Sequence, residues 1–362
     1  MSEIVIDHPS GEASGLLTIE NPSVLEAQGW ETGFWICGDE QPVDKALGAI
    51  GRKGGLLSRD GWELCHVPGA FATSKKKTED CEAMARRGSW IYIFGSHFGT
   101  KSGSLQSRRH FVARFDESKI QGSLEKAEIP IEIARGGFRL HRLINDAFQA
   151  SGLKLLEPGE ETRQSIEQTI KKGKKKGKRW ARRIQEEDYP VNIEGATFRD
   201  SGALLLGLRY PVTRDGHPIL VEIDDVDKLF LSSSLNPIIH HLWILENLGS
   251  PEKPRGIRGL ELFEGQYHVI TGTIDSTPEE SVALHDHPEG DRAPSRHHRF
   301  TLPEVRLWSG VQAELVDPLK EVGKRVEGLS VDDDGTFRYV IDDEKIRLRE
   351  GGRADRHPAR KL

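Results

Sequence analysis

The sequence predicts an all-β protein, a β-propeller of five to six blades with a helical, basic insertion. Three observations predict it: a strand-turn-strand unit that recurs at least five times, a composition rich in turn formers, and one interval where apolar spacing changes from the strand period to the helix period. The 362 residues include 38 glycines and 18 prolines but only 2 methionines, which suits many short strands joined by turns. The chain is longer than a usual single domain, yet propellers reach this length as one unit.

In each unit a short apolar strand leads through a Gly- or Asp-rich turn into a second strand that ends in polar residues. The first copy is degenerate, with Pro22, Ser23, Val24 and Leu25 ahead of a strand over 33–40 that ends in Asp39 and Glu40. The second opens at Glu82, turns at 86–89 and continues over 90–97 to Ser96 and His97. The third, over 193–198, turns at 199–202 and runs on through 203–209 to Arg209. The fourth spans 258–272 with its turn at Glu264 and Gly265, and the fifth spans 326–343 with the turn at 332–335. Alternating apolar positions around such turns mark hairpins with one face in a core. A hairpin cannot bury that face alone, and radial stacking of roughly four-stranded blades solves the problem while leaving only short edges. Stretches 110–115 and 218–223 have the alternation expected of outer blade strands.

Copies lie about 60 to 70 residues apart, except between Glu82 and Glu194, where the gap is much longer. Within that gap Leu140, Leu143, Ile144 and Ala147 share one helical face, with Gly152 as the stop. Residues 160–187 begin acidic and become strongly basic. The predicted organisation is one propeller domain over 15–362, a helical basic insertion over 135–188, and a flexible tail over 351–362.

A formal net charge of -6 excludes a protein that coats nucleic acid over its whole surface, since phosphate binding needs a basic footprint. Cys37, Cys65 and Cys81 cannot all pair and sit within or beside apolar runs, so they read as buried reduced thiols. The amino terminus lacks the pattern of a secretion signal, and no stretch reaches the ~18 uninterrupted apolar residues of a membrane helix. A soluble, cytoplasmic protein is expected, with no membrane partner.

The run CEAMA followed by WIYIFGSHFG, the run NIEGATF followed by LLLGLRYPV and PILVEID, and the closing VEGLSVDDDG together resemble a bacterial β-propeller family of unknown function. That family in turn resembles the esterase-like phytase propellers. The resemblance covers about two thirds of the chain. The sequence departs from it at the first copy, which lacks Glu-Gly, and at Arg258-Gly259, where Arg replaces Glu. What the resemblance implies is fold, because the family's own activity is unknown.

Residues ending equivalent strands converge on one mouth of a propeller channel. Asp39, Glu40, Ser96, His97, Arg209, Thr271, Asp342 and Asp343 end the second strands, and Glu82, Glu194 and Glu327 share a position in the first strands. A carboxylate set drawn from Glu82, Glu194, Glu327 and Asp342 could hold a hard cation such as calcium or magnesium through oxygen ligands. With that cation, Glu194, Arg209 and His97 would form the catalytic set of a metal-dependent phosphoesterase. The competing reading is structural: the Glu accepts backbone N–H bonds from the next blade, and the Gly permits close approach.

His285, His287, His297 and His298 offer metal-capable groups, but the stretch between them reads as a mobile loop rather than a fixed frame. No Walker glycine loop, GxSxG elbow or CxxC pair is present. The basic run supplies Lys171, Lys172, Lys174, Lys175, Lys176, Lys178, Arg179, Arg182 and Arg183, with Trp180 among them. It reads first as a contact for a protein partner and second as a nucleic-acid contact, in which Trp180 would stack on a base. The leading functional reading is therefore an interaction module, with the phosphoesterase as its alternative.

Overall fold

The computed structural model describes residues 3–6, 13–38, 41–57, 59–71, 78–99, 103–231, 235–276, 281–303, 309–311, 314–315, 325–332, 334–342 and 346–354. Within these, twenty-two strands form five separate sheets of four or five strands each. The first strand of each sheet (Ser14–Thr18, Cys81–Arg87, Asn192–Phe198, Gly256–Phe263 and Val326–Val331) packs against the first strands before and after it. The fifth of these strands contacts the first, so the five inner strands close a ring. This is a β-propeller, as the hairpin repeats predict.

Antiparallel meanders build each blade outward from its inner strand. The stretches 110–115 and 218–223 fall largely within third strands, Val112–Asp116 and Ile219–Asp224. The last blade is completed by the other end of the chain, where Glu3–Ile6 pairs antiparallel with Ile346–Arg353. Two domain limits are corrected by this closure. The propeller starts at least twelve residues before Gly15, and the expected flexible tail begins inside a paired strand that continues to Arg353; residues 355–362 lie outside the described ones.

The degenerate first copy is also corrected, because residues 22–25 are not a strand. Asn21 accepts from the Ser23 N–H, Pro22 occupies the first turn and Gly29 closes the end at φ 67°, so Pro22–Gln28 is a short capped helix. The true inner strand is Ser14–Thr18, paired with the strand Trp30–Cys37.

Blades are held by large apolar side chains between sheets. Trp35, Tyr92, Phe115, Trp243 and Tyr339 are fully buried, each such group contributing about 1.5–3 kcal/mol. Cys37, Cys65 and Cys81 are all buried, and none of them is in a disulfide. The long gap contains the helices Arg139–Ser151 and Glu160–Lys175 and the 3-10 turn Arg179–Arg183. Gly152 ends the first helix at φ 66°, and Leu140, Ile144 and Phe148 join the core formed by the second and third blades. Among the described residues no helix is long and apolar enough to cross a membrane.

Candidate functional site

One irregularity recurs in all five blades. The pairing register between first and second strands slips by one residue, and the residue left over is Gly15, Glu82, Glu194, Arg258 or Glu327. A bulge frees that residue from the ladder and re-aims its side chain. The shared Glu position of the sequence is thus a ring of bulges at one end of the channel, and the two departures, Gly15 and Arg258, occupy the remaining places.

The glycine that follows each bulge residue in three blades explains the other half of the motif. A Cβ on Gly195 would sit 3.0 Å from Leu260 Cβ, and one on Gly328 would sit 3.1 Å from the Gly15 carbonyl carbon and the Leu16 nitrogen. On Gly259 it would meet Gly328 Cα at 3.5 Å. Adjacent inner strands approach here almost backbone to backbone, which larger residues would prevent.

The bulge side chains are joined by charge. Glu194 Oε1 accepts from Arg209 Nη1 at 2.6 Å and from Asn192 Nδ2 at 3.1 Å, while Glu194 Oε2 lies 3.0 Å from Arg258 Nε. Arg258 Nη2 pairs with Glu327 Oε1, and Glu327 Oε2 accepts from the Ser14 hydroxyl at 3.2 Å. Arg209 donates further to the Thr273 carbonyl and hydroxyl, at 3.2 and 3.1 Å. Burial opposes the Arg209 charge, but Glu194, Asp275 and Glu82 outweigh it and hold its pKa above the ordinary arginine value. Sequence reasoning foresaw Glu194, Arg209 and the exception at Arg258. It missed Thr273, Asp275 and Asp80, which lie in connections outside the repeats and carry no signal of their own.

Arg209, Glu194, Arg258 and Glu327 are thus linked in a chain of ion pairs, and Glu82 acts on Arg209 through its charge, so in the described structure Glu194 and Glu327 face arginines. Among the described residues no group of three or more His, Cys, Asp or Glu side chains is placed to share a metal ion. The side chain of Asp342, and all of Asp39, Glu40 and Asp343, lie outside the described residues. Thr271 is buried and accepts from Arg255. Ser96 donates to the Asp80 carboxylate, which also pairs with Arg109 at 2.9 Å. Burial, opposed by Arg109 and Ser96, pushes Asp80 up to about 6.

His97 is drawn into a different cluster. Its Nδ1 bonds the Gly95 carbonyl at 2.8 Å, its ring meets His110 edge-on at 4.9 Å, and burial depresses its pKa to about 4. His110 in turn packs on Phe138 at 3.8 Å, with neither ring nitrogen hydrogen-bonded to a described residue. Among the described residues no hydrogen bond or ion pair joins His97 to Glu194 or Arg209.

The His-rich stretch is only partly irregular. It forms the helix Val282–Asp286, the 3-10 turn Pro288–Asp291 and the start of the strand Arg296–Phe300. His285 pairs with Glu161 at 2.6 Å and His287 bonds the Glu157 carbonyl at 2.8 Å. His297 bridges His268 at 3.0 Å and the Tyr339 hydroxyl at 2.9 Å inside the protein. His298 is buried in the same strand. Proline and charged residues hide this order from the sequence, because the docking surface is supplied by the distant insertion.

That docking fixes the basic arm. The Asp286 carboxylate accepts from the backbone N–H groups of Glu161 and Thr162, at 3.1 and 2.9 Å, and so caps the helix Glu160–Lys175 from outside. Gly173 lies on the buried side, where a Cβ would stand 2.6 Å from Trp180 and 2.7 Å from Ala181. Trp180 folds back onto Phe138, with ring centroids 4.7 Å apart. Lys171 pairs with Glu167, Lys172 donates to the Ser104 hydroxyl, and Arg183 donates to the carbonyls of Gly136 and Gly137. Lys174, Lys175, Lys176, Lys178, Arg179 and Arg182 are exposed and form no ion pair with a described residue.

No family model matches the sequence, and no curated protein matches it. Solved structures do resemble it. They include a glucose dehydrogenase (TM-score 0.41, 11% identity, covering 98% of this chain and 100% of that one). An α-L-arabinofuranosidase from Clostridium thermocellum gives TM-score 0.39 and 8% identity over 93% of this chain and 83% of that one. A bifunctional GH43-CE protein from Bacteroides eggerthii gives 0.40 and 9%, and the chain covers 96% of itself but only 34% of that protein. At such identities and scores the likeness carries no activity to this chain, and the expected likeness to phytase propellers is not among what these comparisons support.

Proposed function

We propose that this chain is a propeller scaffold that recognises an acidic protein surface through the exposed cations of its insertion. The observation that carries the proposal is the set of six exposed basic residues between Lys174 and Arg182, none ion-paired with a described residue, which begins at the end of a helix that is capped, buried on one side and anchored to the propeller and continues through the 3-10 turn that follows it. Cations presented on an ordered support keep more of their charge available to a partner than a self-paired helix face does. Acidic protein is favoured over single-stranded nucleic acid because Trp180, the group that would stack on a base, is committed to Phe138 and Gly173. The ring at the channel end supports a scaffold role in the same way, since Arg209 and Glu194 already satisfy one another.

The test is fluorescence anisotropy with three labelled probes: a poly-glutamate peptide, a single-stranded RNA and a duplex DNA. Wild type is expected to bind the peptide, with affinity falling steeply as salt rises. Replacing Lys174, Lys175, Lys176 and Lys178 by Gln should weaken that binding at least about tenfold, the loss of four steering charges. Unchanged peptide binding in that variant overturns the proposal, as does nucleic acid binding that exceeds peptide binding at equal salt.

A further inference from the structure

The opposite end of the channel holds a cavity of about 410 Å³. It is formed where the inner strands finish, far along each strand from the bulge ring. Counting three residues on from each bulge gives Thr18, Ala85, Thr197, Glu261 and Ser330, a level with four small side chains and one carboxylate. Four of the five line the cavity, and the fifth, Ser330, bonds Thr18 at 2.9 Å. Small residues at four places and a long one at the fifth leave room beside the long one.

One carboxyl at this level has no described partner. Arg86 is matched by Glu117 at 2.8 Å and by Glu20 at 3.3 Å, and Asp332 is matched by Arg338 at 2.7 Å. His268, in register with Glu261 on the neighbouring strand, is turned to His297 and is depressed to about 4 by burial, so it is neutral. Glu261 forms no ion pair or hydrogen bond with a described residue. Thr197, only 8% exposed, also forms none, although its side chain lines the cavity. Burial, eased by Arg86 and aggravated by Glu20, lifts the Glu261 carboxyl to about 8.

We infer that this cavity binds a small organic cation, a primary ammonium on a short hydrocarbon, with Glu261 as counter-ion and the Thr197 hydroxyl as acceptor. The ammonium supplies the charge that Glu261 lacks and three donors for oxygen acceptors. Leu17, Phe198, Leu262 and Phe263 on the cavity wall suit the hydrocarbon. A hard divalent ion would instead need six or more oxygen ligands at close range. With the empty carboxyl raised to about 8, binding of a cation at neutral pH would release a proton to buffer. The proposal does not rest on the basic arm.

The experiment is isothermal titration calorimetry of the full chain with n-butylammonium, and with n-butanol and butyrate as uncharged and anionic counterparts. One-site binding should tighten roughly tenfold to a hundredfold between about pH 6 and pH 9, as proton linkage to a group near 8 requires, with enthalpies that depend on buffer. Butanol and butyrate should bind at least about tenfold more weakly, the cost of losing one charge contact. Glu261→Gln should lose the ammonium preference and the pH dependence, while Thr197→Val, which keeps the carboxylate, should weaken binding a few-fold. Thermal melts establish that each variant is folded. No saturable butylammonium binding, equal binding of butanol, or unchanged binding in Glu261→Gln overturns the inference. Should Glu261→Gln not fold, pH-independent butylammonium binding by wild type overturns it equally.

Discussion

Replacing Arg258 by Met removes the guanidinium that joins Glu194 to Glu327 across two blades. Glu194 would keep Arg209 and Asn192, but Glu327 would keep only the Ser14 hydroxyl, at 3.2 Å, among its described contacts. Both arginine contacts involve side chains 4–12% exposed, so water cannot replace the lost partner fully. Breaking a buried pair from one side costs about 3–5 kcal/mol, mostly the penalty of a carboxylate left behind. Arg258→Met should therefore lose roughly that much in urea unfolding at neutral pH. Adding Glu327→Gln removes the stranded charge and should recover about 1–3 kcal/mol, the coupling of a double-mutant cycle. Arg258→Lys should fall between, because one ammonium cannot serve both carboxylates with the two-armed geometry of a guanidinium. A loss below about 1 kcal/mol in Arg258→Met, typical of an exposed pair, would refute the view that the ring ties the blades together.

Three other outcomes follow from the same structure. Gly173→Leu would drive a side chain into Trp180 and Ala181, so the basic arm should loosen at a cost of about 1–3 kcal/mol; unchanged Trp emission and unchanged amide exchange over 160–183 would contradict this. Asp286→Ala should free the Glu161 and Thr162 amides and destabilise the helix by about 1 kcal/mol, and amide exchange at those two positions reads it directly. Acid should destabilise the fold through its buried histidines: His97, His268 and His298 are held near 4, and His110 and His297 also lie well below the ordinary value, all mainly by burial. Their contribution is present above the unfolded value near 6.5 and is lost as pH falls from there toward 4. His110→Phe, which removes two unsatisfied ring nitrogens beside Phe138, should flatten part of that dependence without lowering stability at neutral pH. Midpoints of unfolding against pH test both statements, and a loss above about 2 kcal/mol at neutral pH would count against the second.

How far the candidate site was legible depended on repetition. Glu82, Glu194 and Glu327 stood out because the same Glu recurred before the same apolar run, and their shared role as bulge residues bears out the equivalence of position. Glu261 belongs to the same strands but occurs once, within LELF, and nothing local sets it apart from a solvent-facing Glu. The first blade lacks that marker because its bulge residue is Gly15, and the apolar residues that stand out near it in the sequence belong to a short helix.

The sequence by itself determined the propeller class, the repeating hairpins, the helical interval and the basic run, because each is written in spacing and composition over neighbouring residues. Tertiary structure decided the rest. Whether Glu194 and Glu327 meet a metal or an arginine depends on Arg258 arriving from the blade between them, and whether Trp180 is free depends on Phe138, far earlier in the chain. The Asp286 cap and the unpartnered carboxyl of Glu261 have the same origin. Each is a balance among groups distant in sequence, and pairing or burial across such distances exists only once the ring has closed.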